Sequence, residues 1–188
     1  MRILFVSVLV GLFLVTAKQR RLKTMKKFIL GCLVVAILLP TSAVFALEKQ
    51  GTYNIHFGWY AIGKVFEIGK DHGFFVGEFS GTVFNDEGKG FLHHASVVCP
   101  GVDDIIKGIS KAHGYCTITD WDGDMVFLVW KCKGSKGSPK CDGDFQWTGG
   151  TGKYTGIKGN NNFYGVHQNI TGPTPQGYSI WWGEWKLP

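Results

Sequence analysis

The chain has 188 residues, of which 45% are hydrophobic and 14% aromatic, with 27 glycines and a formal net charge of +6 at pH 7. The excess charge is confined to one end: Arg2, Lys18, Arg20, Arg21, Lys23, Lys26 and Lys27 lie within the first 46 residues, and no acid does. The remaining 142 residues (188 less 46) therefore carry 13 Lys+Arg against 14 Asp+Glu, a net of −1, so composition offers no surface for nucleic acid, while the length suffices for one domain with a real core.

Residues 1–24 hold a first apolar run and read as an upstream extension or a misassigned start. From Met25 the chain shows Lys26-Lys27, an apolar core to Leu39, Pro40-Thr41-Ser42 and then Val44-Phe45-Ala46. That is the three-part pattern of a secretory signal peptide spanning 25–46. The expected mature domain is 47–188, secreted or periplasmic, with membrane contact only through the leader if it stays uncleaved.

Past residue 46, short segments rich in Val, Ile, Phe, Tyr, Trp and Thr recur at 52–57, 60–68, 74–84, 90–98, 115–119, 125–132, 144–147, 162–167 and 178–187. Asp71-His72-Gly73, Asn85-Asp86-Glu87-Gly88 and Asp122-Gly123 supply the residues that tight hairpin turns need. Only 102–111 carries a helical signal, with Ile105, Ile106 and Ile109 on one side and Asp103 and Asp104 in its first turn. The stretch Met125-Val126-Phe127-Leu128-Val129-Trp130 is apolar on both faces, so both must be covered. These elements predict an all-β domain: a closed antiparallel barrel of about eight strands with one short helix capping an end.

Four cysteines remain past the leader. An even count in an exported chain suggests two disulfides, and of three connectivities Cys99–Cys116 with Cys132–Cys141 is favoured because each closes a short segment rich in turn residues. No pair has the close spacing of a structural zinc site. Asp120-Trp121-Asp122-Gly123-Asp124 opens like a calcium loop, but Met125 stands at position six and Lys131 at position twelve, so a turn is expected and no metal. No nucleophile with its base and no cofactor fingerprint is present, and no cofactor is expected.

Candidate polar groups follow from strand parity, since adjacent strand residues point to opposite faces. His93 and His94 are expected on opposite faces; His94 and His56 are candidates for an acid/base role at neutral pH. Trp181 and Trp185 share one face, Trp182 and Glu184 the other. Glu184 and Glu78 are candidate carboxylates of a ligand site, with Trp182 beside them.

The stretch Gly149-Gly150-Thr151-Gly152-Lys153-Tyr154-Thr155-Gly156-Ile157-Lys158-Gly159 is placed between β-forming segments rather than ahead of a helix, which argues against a phosphate loop. It resembles the GGTGxFxG signature of plant allene oxide cyclases and dirigent proteins. The likeness covers 144–165 with an echo at 182–187, about a fifth of the expected domain. It implies an antiparallel barrel that holds apolar, oxygenated small molecules and a homo-oligomer, a trimer in those families. Their catalytic residues lie outside the matching stretch, so none is carried over. The expected function is an exported, disulfide-stabilised barrel binding a small apolar or aromatic molecule. The alternatives are a cofactor-independent cyclase or isomerase and a self-associating structural protein of the cell envelope.

Overall fold

The structure is a computed structural model that describes residues 48–169 and 174–188. The leader expected over 1–46 lies outside the described residues. Leu47–Pro188 forms a compact unit of its own. It contains eight strands: β1 (Gln50–Gly69), β2 (His72–Asn85), β3 (Ser96–Ile106), β4 (Ile109–Thr119), β5 (Met125–Gly134), β6 (Lys140–Gly150), β7 (Asn160–Asn169) and β8 (Gln176–Lys186). Each pairs with the next and β8 returns to β1, all antiparallel, closing a barrel. The strand pairing is therefore complete without residues 1–46, and closure removes the free sheet edges that would otherwise invite aggregation.

Period-two alternation fixes which side chains enter. On β1, Tyr53, Ile55, Phe57, Trp59 and Ala61 are buried while the residues between them are not. The segments 52–57 and 60–68 join into this one strand because Gly58, opposite Thr82, continues the ladder instead of turning it. The segment expected at 90–98 shortens to a strand from Ser96. Ahead of it, Leu92 and His94 take left-handed backbone (φ 54 and 65).

The helix expected over 102–111 is instead a hairpin. β3 and β4 meet with Ile106 opposite Ile109, and the two residues between, Lys107 and Gly108, have φ 51 and 79. Two successive positive φ values make the tight turn whose twist matches antiparallel strands. The β-branched run Val102, Ile105, Ile106 and Ile109 favours extended backbone and outweighs the weak 3.6-residue pattern. Among the described residues the helical content is a single 3₁₀ turn, Gly152–Tyr154.

Large rings fit this narrow barrel because glycines lie opposite them. Gly63, Gly77, Gly101 and Gly114 are register partners in a row across β1 to β4, and the indole of Trp130 on β5 lies over Gly101 and Gly114. A Cβ at Gly101 would come 2.7 Å from that ring. Trp59 lies over Gly177, and Phe163 over Gly143, in the same way. The rings thus lie along the wall, which leaves space in the lumen.

One end of the barrel is shut. The β2–β3 loop folds inward, with Leu92 and Ala95 fully buried and Phe91 stacked on Trp185 at 4.9 Å. Asn85 anchors it by donating through Nδ2 to the Phe91 carbonyl (3.1 Å) and accepting from the Glu87 N–H (3.0 Å). Beside it the Gly-rich stretch is latched to the β4–β5 turn. Tyr154 Oη donates to Asp120 Oδ2 (2.5 Å), Lys153 Nζ meets Asp120 Oδ2 (2.8 Å) and Asp122, and the Lys153 N–H donates to Asp124 Oδ2 (2.9 Å). Thr151 exchanges hydrogen bonds with Met125, both at 2.8 Å. Burial opposes the charge of Lys153, but its hydrogen bonds to Asp120 and Asp122 outweigh that and raise its pKa. The three carboxylates at alternate positions are thus spent on fastening a loop.

Candidate functional site

Among the described residues the opposite end leaves an opening into a cavity of about 80 Å³. Its walls are the inward residues of all eight strands, dominated by Phe57, Trp59, Phe79, Trp130, Phe163 and Trp181. Both disulfides, Cys99–Cys116 and Cys132–Cys141, are formed and line it. Cys99 and Cys116 are buried between β3 and β4; Cys132 and Cys141 tie β5 to β6 nearer the opening.

Few polar side chains face this cavity, and the strands explain where they are. On β3, Asp103 follows the inward Gly101; on β4, Ser110 follows the hairpin turn; on β7, His167 stands two residues before the end of the strand. Ser110 Oγ lies 2.7 and 2.8 Å from the two carboxylate oxygens of Asp103 and donates to that carboxylate. Burial raises the Asp103 pKa, with the Ser110 hydrogen bond and the charge of His167 opposing. Burial lowers the His167 pKa, with the charge of Asp103 opposing. The His167 ring packs edge-on to Trp59 at 5.0 Å. An acid and a base thus face one apolar cavity, with burial raising the proton affinity of the first and lowering that of the second.

His167 has a consequence for stability. Its folded pKa is below its ordinary value of 6.5, so the folded state resists protonation. Its contribution is fully present above about pH 6.5 and is lost as pH falls toward the folded value. In urea melts between pH 7.5 and 5, His167→Gln is expected to lose less stability on acidification than the parent. Equal slopes would show that His167 carries no such linkage.

The residues singled out from sequence stand elsewhere. His56 is on the outer face, 2.5 Å from Asp86. Glu78 points outward from β2 and accepts from Ser80 Oγ at 2.9 Å. Trp182 and Glu184 share an outer groove with Asn54 and Asn160. His94 and His93 belong to the turn before β3, so strand parity does not separate them; their rings lie 3.8 Å apart, and His93 Nδ1 accepts from the Asn85 N–H. None of Glu78, Glu184, His56, His94 or Trp182 lines the cavity. Sequence reading missed Asp103 and Ser110 because their segment was assigned to a helix; the Lys107-Gly108 pair between two isoleucines was the available hairpin signal.

No protein-family model matches the chain. No curated protein matches it either. Among solved structures, the chain is similar to a pterocarpan synthase dirigent protein, at 11% identity and a TM-score of 0.45, over 79% of this chain and 96% of that one. Nothing that protein does is carried to this chain from a likeness of that size.

Proposed function

We propose that this protein is an exported, disulfide-stabilised β-barrel that binds a small apolar or aromatic molecule in its cavity, with one hydrogen-bonding group of the ligand at the mouth. The observation that carries this reading is the aromatic cavity with Asp103, Ser110 and His167 gathered at its open end. Pockets of this make-up, mostly apolar with a few convergent polar groups, are the usual form of small-molecule sites. Two disulfides in so short a domain favour an oxidising compartment. A barrel serving only as a self-associating envelope element has no need of such a cavity.

The deep space is about half the ~150 Å³ that holds a benzene in an engineered apolar cavity, so the ligand is narrow, or extends out through the mouth. Native mass spectrometry of the barrel purified from an oxidising compartment tests this. A co-purified small molecule, absent from an Ala112→Phe variant whose added ring fills the lumen, is the expected result. Both proteins at their own ligand-free masses, with no uptake of an added single-ring phenol, contradict it.

A second reading is favoured by one specific observation, an acid and a base, Asp103 and His167, lining the same apolar cavity. It makes the barrel a cofactor-independent isomerase or cyclase in which the cavity shapes the substrate and this pair moves a proton. Loss of turnover in Asp103→Asn with ligand affinity retained distinguishes it from binding alone.

A further inference from the structure

We propose that the outer face of the barrel around Trp182 binds a neutral saccharide, at a site separate from the lumen. β8 alternates, so that Trp181 and Trp185 are buried while Trp182 and Glu184 face outward. Trp182 is 37% exposed. It lies in register between Asn54 on β1 and Asn162 on β7, both exposed. At the spacing of neighbouring strands, an asparagine therefore stands about 5 Å away on each side of it. Tyr164 braces the indole, with ring centroids 6.2 Å apart, and has its own ring covered by the Lys140 ammonium at 4.5 Å. The free aromatic face here is thus that of Trp182. A groove of about 480 Å³ runs from Trp182 and Glu184 past Asn54 and Asn160 to Asp86 and Glu87 at the start of the β2–β3 loop.

The residues round the indole select the occupant. Asn85 is engaged with Phe91 and Glu87, and Asp86 with His56 at 2.5 Å. Among the described residues the side chains of Asn54, Asn160 and Asn162 make no hydrogen bond, and each amide can both donate and accept. An apolar protein face laid here would strip water from those amides and leave them unpaired, which is costly. The groove is lined by three carboxylates, Asp86, Glu87 and Glu184, and by no lysine. On the strands around it Lys140 pairs with Asp142 and Lys131 with Asp144, while Lys158 and Lys186 stand beyond Glu184. A polyanion is therefore disfavoured. An organic cation would use the indole and the carboxylates but leave the asparagines idle. A sugar ring uses all three: its C–H face lies on the indole, and its hydroxyls donate to carboxylates and exchange hydrogen bonds with amides.

Titration of nitrogen-15-labelled residues 47–188, the self-contained barrel, with maltohexaose, cellohexaose and the hexamer of N-acetylglucosamine tests the proposal. At least one of the three is expected to shift the indole N–H signal of Trp182 to saturation while those of Trp59, Trp130 and Trp181 stay still. Calorimetry with that sugar is expected to show binding weakened at least about tenfold by Trp182→Ala and clearly weakened by Asn54→Ala with Asn162→Ala. Trp121→Ala, an exposed indole elsewhere, and Ala112→Phe, which fills the lumen, are expected to leave it unchanged. Near-ultraviolet circular dichroism checks that each variant is folded. No shift of Trp182 with any of the three sugars, binding that survives both the Trp182 and the paired asparagine substitutions, or a shift produced by tetramethylammonium and by none of the sugars, overturns the proposal. None of these results bears on whether the lumen holds a ligand.

Discussion

Asp120→Ala is expected to lower the free energy of unfolding by about 3–5 kcal/mol, the range for removing one member of a buried charged network. Asp120 is 7% exposed and accepts from two groups of the Gly-rich stretch, the Tyr154 hydroxyl and the Lys153 ammonium, while its Oδ1 accepts from the Trp121 N–H at 2.7 Å. Truncation leaves the Tyr154 hydroxyl, on a ring only 2% exposed, without its acceptor. It also frees the 3₁₀ turn that helps close the shut end. Asp122→Ala, which removes only the outer partner of Lys153, is expected to lose far less. Urea unfolding of the two variants side by side provides the check; equal losses would mean that the latch does not centre on Asp120.

Removing both disulfides is the other large effect. Their sequence separations are 17 and 9 residues, and crosslinks closing loops of that size restrict the unfolded chain by about 3 kcal/mol each. Together they approach the net stability of about 5–15 kcal/mol of an ordinary domain. Replacing all four cysteines by alanine is therefore expected to leave a barrel that melts far below the oxidised protein or does not fold at 37 °C. Calorimetry of the two single-bridge variants should show losses of similar size. A four-alanine protein melting within a few degrees of the parent would place the stability in the aromatic core and strand closure instead.

How much of this was readable in the chain depends on how local the cause is. Strands with alternating burial, such as Tyr53 to Ala61, announce themselves because the period of two is a property of consecutive residues. Both cysteine pairs are close in sequence, and the turn residues between them showed which could meet. The 102–111 segment misled because isoleucines at 105, 106 and 109 satisfy a helical spacing, while the decisive Lys107-Gly108 turn is only two residues long. The site was harder still. Asp103, Ser110 and His167 come from β3, β4 and β7, and nothing near His167 in sequence separates it from the five other histidines. Glu184 and Trp182 were grouped correctly on one face, but closure made that face the outside. Which side of a strand faces the lumen is decided by the whole set of aromatic–glycine pairings, such as Trp59 with Gly177 and Phe163 with Gly143, and not by any single segment.

The central claim is that a small apolar molecule enters the lumen and not an outer groove. The most direct measurement is the spectrum of the seven indole N–H groups of nitrogen-15-labelled protein during titration with p-cresol, a single ring with one hydroxyl. The account predicts that the signals of Trp59, Trp130 and Trp181, which line the cavity, shift together and saturate, while those of Trp121 and the outward Trp182 stay still. Movement confined to Trp182 or Trp121, or no movement at any indole, would contradict it.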